Sequence, residues 1–287
     1  VTELDGGPRD PRGSRGGAGY RPPPLLAGSL VLHAASALAL AVAPRHWRAI
    51  AGVLVADHVV LSAASLWPRG TWVGANQSRL PAAAARRGEV ALTFDDGPDP
   101  DVTPRVLDLL GRHGARATFF CIGERVLAHP EIAAEIARRG HRVENHTQTH
   151  PHLFACYPVP ALRREILDAQ ESIVRANGQC PRLFRAPAGL RNPLLDWTLF
   201  RAGLRLVSWT RRGFDALERD PRRIARRLLA GLAPGDILLL HDGSTGRNRG
   251  SNGGNPVVLE VLPRLLDELA ARKLRSVPIA GTPEVPG

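Results

Sequence analysis

Between residues 89 and 280 the chain alternates short apolar runs with amphipathic segments of helical period, and that alternation leaves few architectures open. The apolar, strand-like runs are Glu89–Phe94, Arg116–Ile122, His141–Glu144, Leu183–Ala186, Leu204–Trp209, Asp236–His241 and Leu274–Ile279. Helix-period segments fill most intervals: Val102–Arg112, Glu124–Arg139, Pro160–Ala176, Pro193–Arg201, Pro221–Leu232 and Pro256–Lys273. Helices open after proline or an acidic residue and stop at Gly114, Gly140, Gly178 and Gly203, as capping requires. Strand–helix alternation builds an α/β fold with a parallel sheet and crossover helices. About seven such units predict a closed or nearly closed barrel rather than a short open sheet.

In a parallel β/α architecture, side chains that do chemistry gather at the C-terminal ends of the strands. The polar residues fall there. The first run ends in Asp95-Asp96-Gly97-Pro98, the third in Asn145-His146-Thr147-Gln148-Thr149-His150, and the fourth carries Arg185-Ala186-Pro187-Ala188-Gly189. Trp209 closes the fifth with Asp215 beyond it, and Leu240-His241-Asp242 closes the sixth. His146 and His150 stand four apart, so a helical turn or tight loop would aim both imidazoles at one point. With a carboxylate from another strand they would make a three-ligand site with open positions, the layout of a catalytic metal ion. An HxxxH pair or an Asp-Gly-Pro turn says little alone; together, at neighbouring strand ends, they point to a site. Two adjacent carboxylates can divide the work, one binding a cation and the other taking a proton from water.

Thr93-Phe94-Asp95-Asp96-Gly97-Pro98, His146-Thr147-Gln148-Thr149-His150, Arg185-Ala186-Pro187-Ala188-Gly189 and Leu238-Leu239-Leu240-His241, in this order and spacing, resemble the successive motifs of NodB-type polysaccharide deacetylases, carbohydrate esterase family 4. The resemblance covers about residues 88 to 280. It implies a distorted (β/α) barrel of about seven parallel strands and a divalent metal ion, usually zinc, held by Asp96, His146 and His150. It implies Asp95 as general base, His241 as general acid, Arg185 beside Asp95, and Asp215 as the partner that raises the pKa of His241. Leu240 would line the pocket for the acetyl methyl group, Trp209 would add an apolar wall, and the Ala188 backbone N–H would meet the oxyanion. Many members carry Tyr where Ala188 stands; a backbone donor survives that change, so the implied activity persists with an altered substrate shape.

Upstream, nothing resembles the family over residues 1 to 80. Residues 1–23, rich in Gly, Pro and Arg, are expected to be a disordered tail. Within 24–67 two apolar runs, Leu25–Val42 and Ala49–Trp67, flank Pro44-Arg45-His46-Trp47-Arg48 and predict a two-helix transmembrane hairpin. Trp47 and Trp67 sit where interfacial aromatics belong, while Asp57 and His58 mid-run require a partner helix. A signal peptide cleaved near Ala41-Val42-Ala43 fits less well, because Pro44 follows at once. Residues 68–87 read as a linker, 88–280 as the catalytic domain and 281–287 as a C-terminal tail. Arginines on the outer flanks (Arg12, Arg15, Arg21, Arg69, Arg79) outnumber those in the loop (Arg45, Arg48), which taken literally puts both ends inside. The resemblance implies the reverse, a membrane-anchored enzyme facing the cell envelope or exterior, and that is the expectation adopted.

The net charge of +11 is almost wholly arginine, Lys273 being the one lysine. It reflects either a compositional bias or attraction to an anionic bilayer or acidic polymer. Aromatic content is 5% and no stretch interleaves basic with aromatic residues, so no nucleic-acid partner is expected. Cys121, Cys156 and Cys180 lack CxxC spacing, which argues against a disulfide framework or cysteine-held zinc; Cys121 reads as a small core residue. The function expected is metal-dependent removal of N-acetyl groups from an N-acetylglucosamine-type poly- or oligosaccharide. The alternatives are a deformylase or deacetylase of a lipid-linked amino sugar, and a non-catalytic, membrane-anchored sugar-binding protein.

Overall fold

The computed structural model describes residues 19–243 and 256–280. The expected tails fall outside the described residues over 1–18 and 281–287. Among the described residues the strands are β1 (Glu89–Asp95), β2 (Ala117–Cys121), β3 (Arg142–Asn145), β4 (Leu183–Phe184), β5 (Arg205–Leu206), β6 (Arg211–Arg212), β7 (Ile237–His241) and β8 (Arg275–Ser276). They form one parallel sheet in the order β5-β4-β3-β2-β1-β7-β6, with β8 paired to the start of β1.

β5 and β6 belong to one extended segment whose first part pairs with β4 and whose last part pairs with β7. One kinked strand therefore joins the two ends of the sheet, and this makes the distorted (β/α) barrel. The kink spans residues 207–210, where hydrogen bonds pass from β4 (Val207 N–H to Phe184 O, 2.8 Å) to Gln77 (Ser208 N–H to Gln77 O, 2.9 Å) and then to β7 (Thr210 N–H to Ile237 O, 2.9 Å). The expected fifth run is thus present as β5, and the strand continues beyond its expected end at Trp209 as β6.

Side chains alternate across the strands. Ala91, Phe120, Leu183, Val207, Trp209, Ile237 and Leu239 fill the barrel interior. Leu92, Phe94, Phe119, Cys121, Leu238 and Leu240 point outward into a second apolar layer beneath the helices. Those helices are preceded in the chain by α1 (Pro24–Val42), α2 (Trp47–Ser65) and α3 (Ala82–Arg86). They are α4 (Thr103–Arg112), α5 (Gly123–Ala128), α6 (Pro130–Arg138), α7 (Val159–Asn177), α8 (Leu195–Arg201), α9 (Pro221–Leu229) and α10 (Val257–Ala271). The sequence reads one helix over Glu124–Arg139; the chain instead breaks at His129 (φ −136°, ψ 58°), because Pro130 drives its predecessor out of the helical region.

Residues 68–87 are not a free tether. Val73, Leu80 and Ala84 are buried, and Leu80 N–H donates to Gly235 O at 2.8 Å. Asn76 holds Pro68 O at 2.9 Å, and the buried Arg191 guanidinium donates to the carbonyls of Gly70 and Gly74. This segment straps the seam left by the kinked strand. Residues 19–23 are also placed: Tyr20 Oη donates to Asp196 Oδ2 at 2.9 Å, and its ring meets Phe200.

α1 and α2 have 19 residues each, about 28 Å of helix at 1.5 Å per residue, and are long and apolar enough to cross a membrane. Leu30, Val31, Leu38, Val42, Val53, Val55 and Val59 are exposed, whereas the buried positions of the pair are Ser29, Ser36 and Ser65. That is the inverse of a soluble helix pair, and it is the pattern of a membrane anchor or signal sequence.

Candidate active site and metal centre

The first strand delivers Asp95 into the barrel mouth. Period-two alternation puts Ala91, Thr93 and Asp95 on the inner face, and Arg185 from the end of β4 fills the centre beneath them. Arg185 is fully buried; its guanidinium donates to Asp95 Oδ1 at 2.6 Å, Thr93 Oγ1 at 2.8 Å and Ser208 O at 3.1 Å. It also lies 4.1 Å from the Phe120 ring centroid, so the cation has both a charged partner and a π face. Asp95 is therefore fixed in rotation as well as in charge environment.

Asp96 turns out of the strand with φ +72°, and Thr147, His150 and Ala188 also have positive φ. Such conformations are costly for residues with side chains and gather where a site is over-determined by its surroundings. The loop after β3 shows what over-determines it. Thr147 N–H donates to Asn145 Oδ1 at 2.9 Å, while Gln148 N–H, Thr149 N–H and Thr149 Oγ1 donate to the Glu165 carboxylate at 3.0, 2.9 and 2.9 Å. His150 N–H donates to Thr147 Oγ1 at 3.1 Å. Glu165, on α7, carries no local sequence signal of this role, because it acts on a loop sixteen residues upstream.

The loop brings His146 Nε2 and His150 Nε2 each to 3.3 Å from Asp96 Oδ1. His146 Nδ1 lies 2.8 Å from Arg185 O; a carbonyl only accepts, so Nδ1 carries the proton and a neutral His146 turns a bare Nε2 toward Asp96. Asp96 Oδ1 is itself buried with no hydrogen-bond partner. Three electron pairs aimed at one point repel unless a positive charge sits among them. The donor set, two imidazoles and a carboxylate, suits zinc or a similar divalent ion and leaves room for further ligands. Burial opposes charge on His146, yet the Asp95 and Asp96 carboxylates still hold it above its ordinary value. His150 is pushed the other way by burial and by His146, toward the neutral form that ligates.

His241 ends β7 on the inner face. Its Nδ1 donates to Asp215 Oδ1 at 2.9 Å and its backbone N–H to Asp215 Oδ2 at 2.7 Å, so one carboxylate clasps the residue twice. Burial disfavours the charged ring, but the Asp215 charge and hydrogen bond, with Asp96 and Asp95 beyond, lift His241 to about 9. Such a group carries a proton at neutral pH.

The structure brings Asp95, Asp96, His146, His150, Arg185, Asp215 and His241 to one end of the barrel. It places Leu240 elsewhere. Leu240 faces outward into the layer beneath the helices, and Leu239 is the leucine inside the barrel with Trp209. The cause is strand alternation: with His241 inward, its immediate neighbour must point out. Trp209 is buried, its ring edge so close to Gly189 that a Cβ there would lie 2.6 Å from it, and 2.9 Å from Pro68. Ala188, one residue earlier, is exposed at the rim.

The polysaccharide deacetylase family model matches residues 82–207. A chitooligosaccharide deacetylase of Bradyrhizobium sp. (strain ANU 289) is 42% identical over 173 residues, 57% of this chain and 78% of that protein. A peptidoglycan-N-acetylglucosamine deacetylase of Bacillus cereus is 34% identical over 200 residues, 67% of this chain and 86% of that protein. Among solved structures, a family 4 carbohydrate esterase from Streptomyces lividans in complex with acetate superposes with a TM-score of 0.60 at 31% identity, over 68% of this chain and 94% of the other. The chain belongs to the polysaccharide deacetylases, carbohydrate esterase family 4.

Proposed function

We propose that this chain is a metal-dependent hydrolase that removes N-acetyl groups from an N-acetylglucosamine-type poly- or oligosaccharide. The observation that carries the reading is the convergence of Asp96 Oδ1, His146 Nε2 and His150 Nε2 at 3.3 Å beside an arginine-held carboxylate and an aspartate-clasped histidine. A divalent ion, zinc by the donor set, would polarise the acetyl carbonyl and make water more acidic. Asp95, steadied by Arg185, takes the proton from the attacking water. The backbone N–H of Ala188 donates to the oxyanion that forms at the former carbonyl oxygen. His241, charged at neutral pH, gives its proton to the departing sugar nitrogen as the C–N bond breaks. Acetate and a free amine result. Leu239 and Trp209 form the apolar wall for the methyl group.

A non-catalytic sugar-binding role is the weaker reading, since base, acid and the proposed ligands are all present with oriented partners. A lipid-linked amino sugar is a second substrate reading, and one observation favours it. Pro68, three residues beyond the end of α2, packs against Gly189 at the rim of the site, with Arg69 reaching Thr210 O at 3.3 Å. If α1 and α2 anchor the chain in a bilayer, the mouth of the barrel lies close to its surface, with Trp67 and Trp72 exposed beside it. We assign 24–66 to the anchor and the strap from Trp67 onward to the catalytic unit, facing the cell envelope.

Acetate release on a panel of chitin oligomers, peptidoglycan fragments, poly-N-acetylglucosamine and lipid-linked amino sugars tests the reading. Release from any of them, cut by roughly 10²–10⁴ in Asp95→Asn, is the expected result. No release from any substrate by zinc-loaded protein contradicts it.

A further inference from the structure

A second convergence of ligating groups lies far from the barrel, between α1 and α2. Asp57 is the one acidic residue in either helix, and its side chain is only 10% exposed. Arg48, the one arginine on these helices, is nine positions away, about 14 Å along the axis. Neither helix, among the described residues, thus offers the carboxylate an arginine within reach. The carboxylate accepts a hydrogen bond from Ser29 Oγ at 2.7 Å and lies 3.8 Å from His33 Nδ1. Across the same gap the His33 and His58 rings meet edge to face at 5.2 Å between centroids.

The tautomers are set by the helices themselves. His33 Nδ1 lies 2.8 Å from Ser29 O, with Ser29 Oγ at 3.5 Å, and His58 Nδ1 lies 2.8 Å from Leu54 O. Carbonyls only accept, so both Nδ1 atoms carry protons, and each neutral ring keeps an unprotonated Nε2, the state in which imidazole ligates. Ligand atoms of His33, Asp57 and His58 lie within 4.8 Å of one another. The spacing around a zinc ion with bonds near 2.0 Å is about 3.3 Å, so to close on an ion the two rings must turn Nε2 toward Asp57 and give up their Nδ1 bonds to Ser29 O and Leu54 O.

We propose that His33, Asp57 and His58 form a second divalent-cation site that cross-links α1 to α2. The ion would be of the imidazole-preferring class, zinc, nickel or copper, rather than calcium or magnesium, because two of the three donors are nitrogen. It would supply the positive charge that Asp57 lacks, which matters most where the surroundings are hydrocarbon. A hairpin whose helices otherwise share only small and apolar side chains thereby gains a fixed register.

The test uses the full chain in detergent, stripped with a chelator, its thiols blocked, then titrated with zinc chloride by calorimetry and metal counting. Wild-type protein should retain one more ion per chain than the Asp57→Asn and His33→Ala variants, and each variant should weaken that ion at least tenfold. His146→Ala should leave this ion in place, so the proposal stands or falls separately from the barrel site. Ser29→Ala keeps all three donors and should keep the ion, while helicity measured by circular dichroism guards against unfolding. Asp57→Asn should leave acetate release unchanged. If His146→Ala protein binds no zinc, or if zinc binding is the same in wild type, Asp57→Asn and His33→Ala, the trio is only a polar contact between helices and the proposal is wrong.

Discussion

Replacing Asp215 with asparagine removes one negative charge and keeps the side-chain volume. In the native protein, burial works against a charged His241, yet Asp215, helped by Asp96 and Asp95, lifts it to about 9. A general acid must hold its proton, so turnover should persist below that value and fall as pH rises through it. Without the Asp215 charge the burial penalty remains, and His241 should return to its ordinary value of 6.5 or lower. At pH 7.5 a group titrating at about 9 is roughly 97% protonated, and one at 6.5 roughly 10%, so the variant should lose about tenfold in kcat at pH 7.5 and recover most of it near pH 6. A cation on Asp96 would offset that carboxylate's share in both proteins and move both profiles the same way, leaving the difference intact. Stability gives a second readout. Because the folded-state value is raised, the charged pair stabilises the native protein fully below pH 6.5, by on the order of 3 kcal/mol, and the benefit fades as pH climbs through about 9. The assay is kcat against pH from 5 to 10, paired with thermal melts. A basic limb that stays near 9 in Asp215→Asn would refute the reasoning.

Arg185→Met leaves Asp95 buried without its arginine, with only His146 Nε2 at 3.9 Å; it should cost about 3–5 kcal/mol and lower Tm by on the order of 10 °C in calorimetry, with activity lost. Leu239→Ala should raise KM or lower kcat for acetylated substrate, whereas Leu240→Ala should cost about 2–5 kcal/mol of stability and leave kcat/KM of the folded fraction unchanged. A chain starting at Trp67 should be soluble without detergent and active, but one starting at Ala82 lacks Pro68, Val73, Gln77 and Leu80 of the strap and should melt lower or aggregate. The full chain should resist carbonate extraction from membranes, and its release would argue against an anchor.

Much of the fold was legible because strand ends and candidate site residues coincide in a parallel barrel. The apolar runs located every strand except β6, which lies beyond the run that ends at Trp209, and the glycines expected to stop helices all take left-handed φ, as at Gly178 with +71°. β6 was not legible: the fifth run ends at Trp209, and Arg211-Arg212 counts as a strand only because the chain past the kink pairs with β7. The strap was misread as a linker for a similar reason. Its alanines and arginines look like solvent-facing filler, but burial of Leu80 and Ala84 depends on a seam that exists only once the barrel is formed. That Asp95, Asp96, His146 and His150 come together at one end of the barrel was readable from motif spacing. Glu165 was not, since a carboxylate on a helix face reads as solvated unless its partner loop is known. Leu240 rested on the resemblance alone, whereas alternation along the strand puts Leu239 on the inner face with His241. Tyr20 was hidden in a stretch whose Gly- and Arg-rich composition suggested no fixed partner.

The central claim is that Asp95 and Asp96, adjacent in sequence, do different work: Asp96 holds a cation with His146 and His150, and Asp95 moves a proton. Metal content and acetate release measured side by side in Asp95→Asn and Asp96→Asn test it most directly. Asp95→Asn should keep the barrel ion and lose roughly 10²–10⁴ in turnover, the scale of a missing general base. Asp96→Asn should lose that ion and regain part of its rate in excess zinc. If Asp95→Asn loses the ion while Asp96→Asn retains it, or if both variants release acetate at the wild-type rate, the account is contradicted.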